Sequence, residues 1–247
     1  MIKDVKKLNK DAFKERFGKW FKYFEPLFDS SSIMEDIFSY LKALGIHKII
    51  CPDSKNTFRS FQDSDPTRLK VIFVLLDPYP SLKGKIKVAN GIAMDCSNTG
   101  VLQPSLEKWY DGIEKEYGDG LDLSMTRSPS LDWYIQQGVM FFNTALTVEA
   151  NKTGSHTELW KDFMQYFYQD VMSNFPGMIY VLCGKESQKM ARWIDPLANH
   201  IIQIEHPSFA ARQYRDWKHD GVFKKINWIL KHDGKETIDW VENDLPF

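Results

Sequence analysis

Val71-Ile72-Phe73-Val74-Leu75-Leu76, leading at once into Asp77-Pro78-Tyr79-Pro80, decides how the rest of the chain is read. Six consecutive apolar residues with no polar alternation predict a strand covered on both faces, as in a parallel sheet. Three more runs share this character, at Val139–Asn143, 178–183 and His200–Ile204. Between and after them, three- and four-residue apolar spacing predicts helices over 105–117, 130–136, 156–172, 186–193 and 221–232. Strands alternating with helices make βαβ units. The expected fold is therefore α/β, a three-layer αβα arrangement around a central, mainly parallel four-stranded sheet. Upstream, residues 11–24 and 32–44 also carry helical spacing. The Pro-, Asp- and Ser-rich stretch 51–66 reads as a connection that Phe58 and Phe61 dock onto the core. No linker divides the chain, so 1–247 is expected to form one domain, with a helical part over 1–66 and the α/β core over 67–247.

Composition sets outer limits. With 247 residues, 43% of them hydrophobic, the chain can bury a core without staples. Cys51, Cys96 and Cys183 fit neither a disulfide framework nor metal-ligand spacing, which favours a reducing compartment. The first residues are charged and lack the apolar core of a secretory signal, and no apolar run approaches the ~20 residues needed to cross a bilayer. A soluble, intracellular protein without membrane contact is expected. Net charge is −1, so a polyanionic partner would have to be met by local basic surface. The groups available are Lys83, Lys85 and Lys87, then Lys185 and Lys189, then Arg212 and Arg215. Taken singly, each reads as a solvated face.

The sheet says where chemistry should sit. In open α/β sheets ligands bind beyond the carboxyl ends of the strands. The four strands here run out into Asp77-Pro78-Tyr79, Asn143-Thr144, Gly184-Lys185 and His206-Pro207-Ser208. Asp77 alone could cap a helix, Asn143 could satisfy a turn, and His206 could be a hydrogen-bonded core residue. Four such groups on one edge argue for a site. The six histidines form no ligand set, there is no G-x-S-x-G elbow, and no glycine-rich phosphate loop comes after the first strand. One carboxylate, one imidazole and one amide remain. They suffice to hydrolyse a bond to a good leaving group, with the acid serving water and the imidazole serving the departing anion.

VIFVLLDPYPS, GVMFFNTALTV and IEHPSFAA resemble the motifs of family 1 uracil-DNA glycosylases. Lesser similarities, PDSKNTFRSF, ANGIAM, Gln103-Pro104-Ser105-Leu106, SHTELWKDF and the IDW of the tail, extend the resemblance over residues 20–240 in order and spacing. The resemblance implies excision of uracil flipped out of DNA. In that reading Asp77 positions and deprotonates the attacking water, and His206 donates to uracil O2. Asn143 reads O4 and N3, Tyr79 excludes the thymine methyl, Leu76 contacts the base through its backbone N–H, and Met94 stands at the stacking position. Gln103, Pro104, Ser105, Gly184, Lys185, Pro207 and Ser208 hold the DNA backbone. No metal or cofactor is implied. The implied partner is uracil-containing DNA, single- or double-stranded; a uracil-mimicking inhibitor protein is common in the family, and a monomer is expected.

Several positions depart from the family pattern. Leu76 replaces the common Gln, and Pro80 replaces the His after Asp-Pro-Tyr, as in the poxviral branch. Met94 stands where a Phe normally stacks, and the segment from Asp77 to Met94 is longer than usual. Ala210 occupies the position of the inserting Leu, with Phe209 or Arg212 as substitutes, and Lys185 replaces a Ser. These changes leave two alternatives open: a DNA-binding or processivity subunit with weak catalysis, and a glycosylase for a different or modified base.

Overall fold

The structure, a computed structural model, describes residues 10–118 and 127–241. The charged stretch over 1–9 and the last six residues of the polar tail lie outside the described residues. In chain order, helices α1 (Lys10–Phe17), α2 (Phe21–Ser30) and α3 (Ile33–Gly45) lead into strand β1 (Ile50–Cys51) and helix α4 (Arg59–Gln62). Strand β2 (Val71–Leu75) is succeeded by β3 (Leu82–Lys83), β4 (Ile86–Lys87), α5 (Pro104–Tyr117) and α6 (Asp132–Gln136). Then come β5 (Val139–Asn143), β6 (Val148–Glu149), α7 (Lys161–Tyr166), β7 (Ile179–Cys183) and α8 (Lys185–Gln188). Strand β8 (His200–Ile204) and helices α9 (Pro207–Arg212) and α10 (Val222–His232) complete the described elements.

Four strands form the central sheet in the order β5-β2-β7-β8, every pair parallel. The expected α/β architecture is the observed one. Alternation along β2 explains the layers, because successive strand side chains point to opposite faces. Val71, Phe73 and Leu75 join a core with Trp109, Phe141, Phe223 and Trp240, beneath α5 and α10. Ile72 and Val74 join the other core with Phe17, Phe24, Phe61, Phe142 and Phe163, beneath the N-terminal helices and α7. Both layers are rich in aromatic contacts: Phe24 stacks on Phe163 with centroids 5.4 Å apart, and Trp109 meets Tyr134 edge-on at 4.8 Å. Phe58 and Phe61 are buried, as expected of the docked connection. No described helix is long and apolar enough to cross a membrane.

Several boundaries differ from the expectation, each for a local reason. The helix expected over 11–24 breaks at Gly18, whose φ of +53° leaves the helical region, and a 3₁₀ turn over Gly18–Trp20 joins α1 to α2. The helix expected over 156–172 is α-helical only in α7, then widens into a π turn over Phe167–Val171 and tightens into a 3₁₀ turn over Met172–Asn174. Likewise α8 is one turn long and continues as 3₁₀ over Lys189–Trp193. Two short antiparallel pairings, β1 with β6 and β3 with β4, are too brief to show a period in the sequence. The second of these is a hairpin, and it accounts for the extra length between Asp77 and Met94.

One glycine shows how tightly the N-terminal part is joined to the sheet's surroundings. Gly91 has φ +97°, and a Cβ there would lie 1.8 Å from the Asn56 carbonyl oxygen. Backbone cannot yield like the end of a flexible side chain. Gly91→Ala is predicted to destabilise the fold by at least ~2 kcal/mol, combining backbone strain with overpacking. Urea unfolding of variant and parent checks this; an unchanged midpoint would show that the two segments separate freely.

Candidate active site

The site arises where the parallel strands end. Leu75 pairs with Asn143 at the carboxyl ends of β2 and β5. Beyond them, Thr144 clamps the two chains together: its N–H donates to Leu75 O at 2.9 Å and its hydroxyl to Leu76 O at 2.7 Å. Asp77 and Asn143 are thereby held side by side at the top of the sheet. Beside β2 lies β7, which runs out into Gly184. The chain connections leave β2 and β7 toward opposite sides of the sheet, so the crevice between their ends is a switch point of the kind that binds ligands.

A cavity of about 730 Å³ occupies this edge, within the range of small-ligand sites. Of the residues expected from the sequence, Leu76, Asp77, Tyr79, Met94, Ser105, Asn143, Gly184, Lys185, His206, Ser208, Phe209 and Arg212 line it. Gln103 and Pro104 do not; they cap and begin α5, whose next residue, Ser105, does. Pro207 is buried beneath the first turn of α9. Ala210 requires correction: it is 0% exposed and packs into the core, so it cannot reach a ligand from the surface. Phe209, 43% exposed and lining the cavity, is the large apolar side chain this turn presents outward. The Arg215 guanidinium lies 5.5 Å from its ring centroid.

The electrostatics distinguish the acid from the imidazole. The Asp77 carboxylate accepts a hydrogen bond from the Gly154 N–H at 2.5 Å. Burial nevertheless pushes its pKa up to about 6, with the Gly154 bond pulling the other way. His206 caps α9: its Nδ1 accepts from the Ser208 N–H at 3.1 Å. The Ser208 hydroxyl lies 2.8 Å from the same nitrogen and accepts from Arg212 Nη1 at 3.1 Å, so its own proton points at Nδ1. With donors on Nδ1, the ring proton belongs on Nε2. Burial first, and the Arg212 charge second, bring the imidazole pKa down to about 4. His206 is thus a neutral hydrogen-bond donor. Gly184 makes room for it, since at φ +89° a Cβ would fall 2.8 Å from His206 Cβ.

Two walls complete the cavity. The Tyr79 hydroxyl is held between Ser105 Oγ at 2.7 Å and Met94 O at 3.2 Å, and burial keeps it protonated far above its usual range. Met94 adopts φ +63°, a costly conformation for such a side chain. The next residue holds it there: the buried Asp95 carboxylate accepts from Asn90 Nδ2, from Ser97 N–H and Oγ at 2.9 and 2.6 Å, and from Leu131 N–H at 2.9 Å. Asn143 is 4% exposed, and its Oδ1 is buried with no hydrogen-bond partner among the described residues. An orphan buried acceptor in a cavity wall calls for a donor from a ligand. Sequence reasoning missed Gly154, Thr153 and Glu205. The first supplies the Asp77 hydrogen bond and the others line the cavity; Thr153 and Gly154 come from a loop without a motif, while Glu205 stands unremarked beside His206 in IEHPSFAA. It also counted Arg215 and Lys189 as available cations. Arg215 is in a two-point ion pair with Glu205, and Lys189 is paired with Glu186.

The cavity at the carboxyl ends of this α/β sheet thus brings together a buried carboxylate, a neutral imidazole N–H donor and an amide with an unpartnered oxygen. The chain belongs to the uracil DNA glycosylase superfamily, whose family model matches residues 61–231. It is 30% identical over 205 residues to the uracil-DNA glycosylase of Pseudomonas paraeruginosa, covering 83% of this chain and 84% of that protein. To the uracil-DNA glycosylase of Azobacteroides pseudotrichonymphae it is 29% identical, covering 90% and 96%. Among solved structures, mimivirus uracil-DNA glycosylase superposes with a TM-score of 0.81 at 24% identity, over 95% of this chain and 90% of that one. A variant of that protein in complex with UGI superposes equally well, with a TM-score of 0.81.

The imidazole assignment predicts a spectrum. In nitrogen–proton NMR, His206 should be the neutral Nε2–H tautomer at pH 7 and gain its second proton only near pH 4. A midpoint near the ordinary value of about 6.5 would mean that Ser208 and burial do not hold the ring as described.

Proposed function

We propose that the protein is a monofunctional uracil-DNA glycosylase. It takes uracil out of the base stack into the 730 Å³ cavity, hydrolyses the bond between base and deoxyribose, and leaves an abasic site. The observation that carries this reading is the buried, unpartnered Asn143 Oδ1 in one cavity with Asp77 and His206. An amide whose oxygen needs a donor and whose nitrogen offers one matches uracil, which presents N3–H and O4 side by side. Cytosine reverses the pair and meets donor with donor.

In the reaction, the C1′–N1 bond breaks with its electron pair moving onto the base, where the charge spreads to O2. The His206 Nε2–H supports that oxygen, and a neutral donor does so without having to transfer its proton. A water oxygen bonds to C1′ and the Asp77 carboxylate takes its proton. Asp77 also faces the positive charge that develops on the sugar. Tyr79, fixed at its hydroxyl by Ser105 and Met94, is the wall that excludes a substituent at C5. Leu76 offers its backbone, and Met94 covers the ring with a polarizable side chain instead of a flat one.

Gln103, Pro104, Ser105, Gly184, Lys185, Pro207 and Ser208 form the edge over which the backbone is drawn. The Ser105 hydroxyl is already engaged with Tyr79, which leaves its backbone N–H for phosphate. Phe209 takes the place expected of Ala210, filling the gap that the flipped base leaves, with Arg212 beside it. A uracil-mimicking inhibitor would enter the same mouth, as UGI is present in complex with the variant mimivirus protein. A binding-only reading leaves the raised Asp77 pKa without a use.

Two predictions test the assignment. Because Asp77 acts as a carboxylate with a pKa of about 6, kcat/KM for uracil release should fall about tenfold per pH unit below pH 6. His206, neutral above about pH 4, adds no second limb in that window. Asp77→Asn should lower turnover by roughly 10²–10⁴-fold and abolish the acid limb while DNA binding survives. Near-normal single-turnover rates in that variant would remove Asp77 from the mechanism.

Asn143→Asp should lose most uracil activity and gain slow release of unpaired cytosine, more visibly at lower pH. An ionised Asp offers only acceptors, which suits the cytosine amino group, and protonation lets it serve N3 as well. Buried mispairing is the costly kind of mismatch, so the change in preference should be large. Matched oligonucleotides carrying one uracil or one cytosine provide the measurement. Full uracil preference in the variant would mean that Asn143 does not read the base.

A further inference from the structure

A second cavity, of about 900 Å³, opens beside the first. Pro80 lines the catalytic cavity and Leu82 the second, so along the chain only Ser81 stands between them. Three separate pieces of backbone converge on it: the continuous chain from Phe38 in α3 through β1 to Thr57, the β3–β4 hairpin, and Thr147 just before β6. Five lysines line it, Lys42, Lys48, Lys55, Lys85 and Lys87, against one carboxylate, Asp53. Lys87 is paired with Asp53 at 2.6 Å, and Lys48 with Glu149 at 3.1 Å. Lys42, Lys55 and Lys85 have no carboxylate partner among the described residues, nor has Lys83, exposed on the same hairpin.

Ordinary helix and surface chemistry accounts for only part of this. Lys42 lies in the last turn of α3, where a cation complements the helix dipole. Nothing of the kind applies to Lys55 or Lys85, which belong to a turn and to a hairpin. A chain with net charge −1 has gathered uncompensated positive charge into one concavity. Ile49, lining that concavity, and Ile86, on the hairpin, are both exposed, so apolar surface accompanies the charge. Point charges beside apolar surface suit a phosphate–sugar backbone, held without reading sequence.

We propose that this cavity is a DNA-backbone subsite. It holds phosphates of the same strand whose uracil occupies the catalytic cavity, on one side of the excised nucleotide. The identity of that strand rests on the glycosylase reading; the affinity for a polynucleotide does not. Because the chain passes from the catalytic cavity at Pro80 to this one at Leu82, on one side of the excised nucleotide, the contribution is one-sided. Nucleotides added on one flank of the uracil improve KM, and those added on the other do not.

The experiment compares the parent, the hairpin variant Lys83→Glu/Lys85→Glu and the opposite-wall variant Lys55→Glu. Substrates are single strands of five nucleotides with a central uracil, and strands extended by fifteen on the 5′ or the 3′ flank. None of these lysines touches the reacting groups. On the five-nucleotide strand all three proteins should give the same kcat and KM. On one of the two extended strands both variants should raise KM about tenfold with kcat unchanged. Their binding should also respond less steeply to salt, by about 0.7 log units per log unit of salt for each lost contact.

Equal effects on short and extended strands, effects on both flanks, or no effect at all would overturn the subsite. Fluorescence anisotropy with a uracil-free strand of the extended length separates the two readings. If the parent released no uracil yet both variants still bound that strand more weakly, the glycosylase reading would fall and the subsite stand. If binding of the uracil-free strand were the same in all three proteins, the subsite would fall. That outcome includes the case in which the lysines receive an acidic peptide.

Discussion

The ladder that places β2 between β5 and β7 is the constraint on which the rest of the structure depends. A strand hydrogen-bonded on both edges and covered on both faces has no freedom of register, because a slip of one residue would exchange its two sets of side chains. Val71, Phe73 and Leu75 would then face the layer built for Ile72 and Val74. Fixing β2 fixes the height at which Leu76 leaves the sheet. The Thr144 clamp then transmits that height to the end of β5. Asp77 and Asn143 are therefore placed by sheet packing, before any ligand is bound.

The fourth strand brings the imidazole by a different route. Cys183 pairs with Ile204, which sets the ends of β7 and β8 level, and the Gly184 N–H donates to Ile204 O at 2.8 Å. The chain after β8 turns at once into α9, with His206 as its cap. The same bond that begins the helix thus chooses the tautomer of His206. Local folding and electrostatic role are one interaction here. Replacing the ring by another helix cap could preserve α9 and would still lose the Nε2–H.

Legibility in the sequence tracks the length scale of the signal. Strands β2, β5 and β7 are readable because each is five buried residues of largely unbroken apolar character, which only a doubly covered strand needs. Strand β8, at the sheet edge, is readable from Ile201, Ile202 and Ile204. Asp77, Asn143, Gly184 and His206 are readable because each lies at or just beyond the end of such a strand. Gly154 is not: it reaches Asp77 from a turn 77 residues away in sequence, and its contribution is a backbone N–H with no side-chain signature. The hairpin β3–β4 is invisible for a related reason, since two-residue strands have no period. Its lysines stand out as charge, and only the fold separates Lys87, paired with Asp53, from Lys83 and Lys85. Ala210 fails because linear alignment to an inserting position carries no information on which side of a short helix a residue faces. In α9 that side is the core.

The site is also where the molecule departs from its own rules of stability. Burial raises the Asp77 pKa above its unfolded value, so the stability it contributes below about pH 4 is lost as pH rises through about 6. The His206 pKa is lowered, so the stability it contributes above about pH 6.5 is lost as pH falls through about 4. At neutral pH the acid is therefore held in its less comfortable form and the imidazole in its more comfortable one. Asn143 adds a buried acceptor without a partner among the described residues, and Met94 adds a left-handed backbone. Asp77, Asn143 and Met94 do not help the chain fold, and together with His206 they describe a ligand. An anionic acid needs a cation to face, a neutral donor needs a developing anion, an orphan oxygen needs an N–H, and a strained wall needs something flat to press against. The aromatic layers on both faces of the sheet offset these costs, which explains why so strained an edge sits on so densely packed a core.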